Sequence, residues 1–190
     1  MTSKTLKKTP EPKARPAEIV REYGFPGVDD IAGVTHDGQR VWAAARTKLI
    51  AFDPASGDVL ASIPAPGHGA DSGLTWAEGS LWVGQYRDRK IHRIDPTTGA
   101  LLRTIESNRF VTGVTWVDGE LWHGTWEGDE SELRHIDAAD GTVLERLAMP
   151  AGTGISGLES DGADLFYCGG GMSGKVRAVR RPSSKAKVTA

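Results

Sequence analysis

The 190-residue chain has one cysteine, Cys168, so no internal disulfide can form and a reducing compartment is allowed. No apolar run approaches the roughly 18 residues of a membrane span. The N-terminus, Met1-Thr2-Ser3-Lys4, runs into lysines and prolines where a signal peptide would carry its apolar segment. A cytoplasmic protein is the expectation. Also missing are His-Glu-x-x-His, a paired Cys-x-x-Cys, Gly-x-Ser-x-Gly and a glycosylation sequon, so the enzyme classes defined by such motifs have no support. Positive charge is scarce in the body of the chain. Residues 17–176 hold 13 Lys and Arg against 24 Asp and Glu, a balance of −11, which repels a nucleic-acid backbone. The basic residues collect in the ends, five each in 1–16 and 177–190, and such short polar ends read as solvated, disordered tails.

Glycine is abundant, with 24 residues, and it marks a repeat. Gly33-Val34-Thr35, Gly73-Leu74-Thr75-Trp76, Gly113-Val114-Thr115-Trp116 and Gly157-Leu158-Glu159 follow one another at spacings of 40, 40 and 44. Behind them come Val41-Trp42, Leu81-Trp82, Leu121-Trp122 and Leu165-Phe166. Alternating segments follow, Leu49–Phe52, Ile91–Ile94, Leu133–Ile136 and Val176–Val179, the first three ending in Asp53, Asp95 and Asp137. Turns at Ser56-Gly57, Thr98-Gly99 and Asp140-Gly141 precede a last strand in each of the first three units. Period-two alternation broken by Asp-Gly, Glu-Gly and Ser-Gly turns predicts strands joined by tight hairpins, four per unit. A four-stranded unit of this length cannot bury both faces alone, so several must stack, and the expected fold is an all-β propeller of four blades.

Gly-Leu-Thr-Trp, Leu-Trp-Val-Gly and Lys-Ile-His-Arg-Ile-Asp-Pro-Thr-Thr-Gly resemble the streptogramin lyase, glutamine cyclotransferase and YVTN-type propellers over residues 30–181. The resemblance implies architecture, and its matching positions are turns and core contacts. The expected boundaries are a basic tail over 1–16, a propeller domain over 17–181 with repeats at about 30–66, 70–108, 110–150 and 154–181, and a tail over 182–190. The fourth repeat lacks an outer strand, and residues 17–25, Ala-Glu-Ile-Val-Arg-Glu-Tyr-Gly-Phe, alternate suitably to supply it. That strand either closes the ring within one chain or joins two chains into an eight-bladed homodimer.

Propellers gather ligands on the face where the loops into the inner strands meet those between second and third strands. Those loops carry Asp29, Asp30, Arg46, His68, Asp71, Tyr86, Arg87, Asp88, Arg89, Asn108, Arg109, Trp126, Glu127, Asp129 and Glu130. Arg87, Arg89 and Arg109 suit a carboxylate or phosphate, with Arg46, Tyr86 and Trp126 completing a candidate ligand site. Salt bridging to Asp88 and the Glu127–Glu132 loop is the competing role. The same acids are a weak candidate for Ca²⁺ or Mg²⁺, without the spacing of a calcium loop, and no cofactor is expected. His123 stands where the aligned repeats have Ala43, Val83 and Tyr167, and with Glu127 and His68 it forms a candidate acid–base group. Gly169–Lys175 matches a phosphate loop only in spacing, since Val176 and a strand follow. Two functions compete: a non-catalytic propeller binding a small anionic ligand or a protein partner through its loop face, and a propeller enzyme of the streptogramin lyase or glutamine cyclotransferase kind.

Overall fold

In the computed structural model, residues 20–67, 71–170 and 173–182 are described. The candidate tail 1–16, residues 17–19 of the closing segment, His68 and residues 183–190 lie outside them. The chain forms a four-bladed β-propeller. Blade 1 comprises β1 (Gly33–His36), β2 (Val41–Ala45), β3 (Lys48–Phe52) and β4 (Val59–Pro64), and blade 2 comprises β5 (Asp71–Ala77), β6 (Ser80–Gln85), β7 (Lys90–Ile94) and β8 (Leu101–Glu106). Blade 3 is β9 (Phe110–Val117), β10 (Glu120–Glu127), β11 (Glu130–Ile136) and β12 (Val143–Ala148), and blade 4 is β13 (Gly157–Ser160), β14 (Leu165–Gly169) and β15 (Val176–Arg180). Every blade is an antiparallel meander in sequence order, with three strands in blade 4 among the described residues.

Local chemistry sets these meanders. Glu78-Gly79 and Asp118-Gly119 both take positive φ at both residues, the turn geometry whose twist matches two adjoining strands. The repeated Asp at the end of each third strand folds back on its own turn: Asp95 Oδ1 accepts from the Thr97 and Thr98 amides at 2.7 and 3.2 Å, and Gly99 N donates to the Asp95 carbonyl. Middle strands are buried on both sides where a blade lies between two others; all six residues of β6, in blade 2, are buried.

Three apolar clusters join the blades, each a pairing of opposite faces. Trp42, Leu49 and Ala51 of blade 1 meet Leu74, Leu81 and Val83 of blade 2. Trp82 and Ile91 meet Val111, Val114 and Leu121, and Trp122 and Leu133 meet Leu158, Phe166 and Cys168. A fully buried tryptophan removes about 150–250 Å² from water, an upper limit of about 4–6 kcal/mol apiece. Near the axis the strands approach closely enough to require glycine. A Cβ on Gly33 would lie 3.2 Å from the Leu74 nitrogen, one on Gly73 2.8 Å from that of Val114, and one on Gly113 2.7 Å from that of Leu158. Backbone atoms cannot swing aside as a side chain can. Gly113→Ala is therefore expected to destabilise by about 1–3 kcal/mol, measured as a shift in urea midpoint at unchanged slope.

Two sequence expectations are corrected. The hairpin of blade 4 pairs Ser160 with Phe166, so its turn is one residue longer than the His36–Val41 turn of blade 1. Tyr167, not Phe166, takes the tryptophan position, and Cys168, not Tyr167, matches His123. The extra residue is held by Asp161, whose Oδ1 accepts from the Ala163 and Leu165 amides. Residues 20–25 form no strand and do not complete blade 4 of their own chain. They lie on blade 1, where the Tyr23 and Phe25 rings pack on Phe52 at 4.6 and 5.1 Å and the Tyr23 hydroxyl donates to the Pro54 carbonyl at 2.6 Å. The two rings cover an apolar face on which no other blade packs.

Candidate functional site

The inner ends of the blades border an open cavity of about 730 Å³, lined by Asp71, Ser72, Tyr86, Thr112, Trp126 and Ser156 among others. A bulge between Asp71 and Gly73 turns the start of β5 toward it. Asp71 is the chemical centre. Its Oδ1 accepts from Gln85 Nε2 at 3.2 Å, and Gln85 Oε1 lies 3.0 Å from His92 Nε2, whose other ring nitrogen is 2.9 Å from the Thr104 hydroxyl. Gln85 Nε2 also donates to the Pro66 carbonyl. This buried chain fixes the plane of the Asp71 carboxyl and leaves its Oδ2 without a hydrogen bond, as is the Thr112 hydroxyl on the next blade. Burial pushes the carboxyl up to about 6, against the partial opposing effect of the Gln85 bond.

The linkage follows from a folded-state value above the unfolded 3.8. Below pH 4 both states hold the proton. Between pH 4 and 6 the unfolded chain loses it first, so stability falls as pH rises and stays lower above 6. Asp71→Asn keeps the Gln85 bond without the charge. It is expected to gain about 1–2 kcal/mol at pH 8, after screening of a half-buried group is allowed for, and nothing below pH 4, as read by urea denaturation across pH.

The residues singled out from sequence divide between places. Tyr86 and Trp126 line the central cavity. Tyr86 stacks on Phe110 at 4.7 Å, and the Arg89 guanidinium lies 4.3 Å over the same ring while pairing with Glu127 at 3.0 Å. Arg109 pairs with Glu130 at 3.0 Å and approaches Glu132 at 3.8 Å. Arg46 faces Asp29 and Asp30 at 3.6 and 3.8 Å beside blade 1, and Arg87 is exposed in its turn. The arginines are thus distributed around the rim, three of them in ion pairs. Among the described residues no three of His, Cys, Asp and Glu are grouped so as to hold a metal ion.

His123 and Glu127 stand four residues apart on β10, about 13 Å along an extended strand. Glu127 faces Arg89, while His123 is buried at the contact between blades 2 and 3, beside Arg134 in a second cavity of about 500 Å³. Burial, reinforced by the Arg134 charge, pulls His123 down to about 4 and keeps it neutral. The unfolded chain takes up a proton near pH 6.5 and the folded one only near 4, so stability is lost as pH falls through that window. His123→Val, the residue blade 2 carries there, is expected to abolish this loss in a pH series of thermal melts. Cys168 is buried, and burial pushes its thiol up to about 11, away from nucleophile chemistry.

Asp71 stood among the rim residues without being singled out, although a signal was present. It lies two residues before the repeat glycine, where the other repeats have Ile31, Val111 and Ile155. An acid at an apolar repeat position is a departure of the same kind as His123.

No protein-family description and no curated protein matches the chain. Solved structures do. Glutaminyl cyclase of Myxococcus xanthus superposes with a TM-score of 0.61 at 16% identity, over 78% of this chain and 71% of that one. The computationally designed Ika4 protein gives 0.56 at 14%, over 88% of this chain and 100% of that one. U3-55K gives 0.61 at 20%, and this chain spans only 53% of its length. At such identities the likeness concerns the fold, and it agrees with the blades described above: the chain is a β-propeller.

Proposed function

We propose that the chain is a ligand-binding propeller whose central cavity takes a small polar organic molecule. The observation that carries this is the Asp71 carboxyl, fixed by Gln85 and held at about 6, in a cavity with Tyr86, Trp126 and the Thr112 hydroxyl. One or two oriented polar groups among aromatic walls is the usual composition of a small-molecule site. The carboxyl and hydroxyl favour a hydrogen-bond donor such as an amine or amide, and the Trp126 ring a flat or apolar portion. An anionic ligand is less well supported, since Arg89 and Arg109 already face Glu127, Glu130 and Glu132.

Catalysis is the second reading, and Asp71 favours it too: a carboxyl near 6 both gives and takes a proton close to neutral pH. Together with the resemblance to glutamine cyclotransferase and streptogramin lyase, this sets the substrates to try. Thermal-shift screening of amines, amino acids and short peptides is the binding test. A hit whose shift disappears in Asp71→Asn and Trp126→Ala supports the cavity, and hits that survive both variants refute it. Turnover of N-terminal glutaminyl peptides or cyclic depsipeptides, with and without Mg²⁺, that fails in Asp71→Asn supports the enzyme. No turnover leaves binding as the function. The single unpaired cysteine favours the cytoplasm as its location.

A further inference from the structure

Every blade contact in this chain has the same parts, and the last blade carries the same parts with no blade packed on them. Gly33, Gly73 and Gly113 each lie against the backbone of the next blade, while Gly157 has nothing within 4 Å of where its Cβ would stand. Trp42, Trp82 and Trp122 are 0–1% exposed, and Tyr167, which the strand pairing puts at the same position, is 42% exposed. Leu49, Ile91 and Leu133 are fully buried, and their counterpart Val176 is 75% exposed. The opposite end of the chain mirrors this. Leu74, Val114 and Leu158 are buried on the receiving side of blades 2, 3 and 4, and Val34 of blade 1 is 58% exposed. β1 packs on β5, β5 on β9 and β9 on β13, and no comparable contact returns from β13 to β1.

The N-terminal segment completes the pattern. Ile63 of β4 packs on Gly99 of the following blade, and Ile105 of β8 packs on Gly141. Tyr23 packs on Gly57 in the same way, so residues 20–25 stand where the outer strand of a blade preceding blade 1 would run. Ile63 pairs with Leu49 and Ile105 with Ile91. The equivalent partner of Tyr23 is therefore Val176, on the unpaired edge of blade 4. That register sets Glu22 opposite Arg177, a pair of opposite charge.

We propose that blade 4 of one chain docks on blade 1 of a second copy, and the second copy's residues 20–25 become the fourth strand of that blade. The exposed faces are the two halves of a contact the chain already builds three times, which makes a second copy the occupant whose shape is on the page. Because the two halves lie at opposite ends of the chain, a two-fold axis along the channel forms the contact twice and leaves neither face open. Ala32 and Ser173, at the two ends, both line the central cavity, so the second copy would supply part of its wall.

The mass of the full chain by light scattering tests this, with twice the 20.3 kDa of one chain expected. A single-chain mass overturns it. A Cβ added at Gly157 meets nothing within 4 Å in one chain and Val34 is 58% exposed, so Gly157→Ala and Val34→Asp are each expected to weaken the dimer about ten-fold or more with circular dichroism unchanged. A dimer indifferent to both overturns the assignment of these faces. Oxidation of Glu22→Cys/Arg177→Cys separates the two ways of completing blade 4, and needs no estimate of affinity. A disulfide between chains is expected; a band of single-chain mass, whether oxidised within the chain or not at all, overturns the exchange.

Discussion

Glu132→Ala is expected to destabilise the chain by about 3–5 kcal/mol, the range for removing one partner of a buried ion pair and leaving the other uncompensated. Glu132 is 6% exposed and serves two guanidiniums directly: its Oε2 accepts from Arg134 Nε at 2.7 Å and Arg146 Nε at 3.0 Å, and its Oε1 accepts from Arg146 Nη2. Arg109 adds a third positive charge at 3.8 Å. Arg134 is itself 6% exposed, with one further bond from Nη1 to Asn108 Oδ1 at 2.7 Å. These bonds, Arg146 first, hold Glu132 down to about 2 against the opposing effect of burial.

A depressed folded-state value means the stabilisation is complete above pH 4.5 and is lost as pH falls toward 2. The wild type should therefore weaken below pH 4.5, and Glu132→Ala should show a shallower limb, because it starts without this charge while Asp37, also held down to about 2, still contributes. Glu132→Gln keeps the acceptor oxygen and should lie between the two. Urea titrations at pH 7, 4 and 2.5 give all three comparisons, and equal acid slopes in wild type and Glu132→Ala would contradict the account.

Trp122→Ala should cost a similar amount, about 3–5 kcal/mol, from lost burial and the cavity left behind. The indole is 1% exposed, packs on Phe166 at 4.9 Å and His135 at 5.2 Å, and donates from Nε1 to Glu120 Oε2 at 2.8 Å. For a chain of this length the melting temperature should fall by about 10 °C. Where the damage appears is more diagnostic. Within one chain, blade 4 is joined through the cluster that Trp122 anchors, whereas blades 2 and 3 each have neighbours on both sides. Hydrogen exchange should therefore speed up first across residues 155–181 in Trp122→Ala, and across blade 1 in Trp42→Ala. Uniform acceleration in both would show that the blades do not open separately.

The fold was legible because its signals are local and repeated four times. Hairpin turns need residues that accept positive φ, strands between two neighbours need apolar residues on both faces, and the axis needs glycine. Each leaves a residue type at a fixed interval, and Gly33, Gly73, Gly113 and Gly157 alone suffice to set the period. The fourth repeat was misaligned by one residue because Leu165-Phe166-Tyr167 offers two apolar registers, and only the pairing of Ser160 with Phe166 selects between them. The candidate site was less legible. Tyr86 and Trp126 lie in loops that the repeat places on one face, but whether an arginine meets a ligand or an adjacent carboxylate depends on distances across blades that no spacing along the chain encodes.

Sequence by itself determined the four-bladed propeller and the order of its strands, both consequences of short-range patterning. Tertiary structure decided that Arg89 and Arg109 face acids, that His123 is buried away from Glu127, and that Asp71 is the raised carboxyl of the central cavity. It also decided that the glycine-lined contact is made three times within the chain and stands open at Gly157. Those outcomes turn on burial and on which charges meet, properties of a packed interior that exist only when distant blades are brought together.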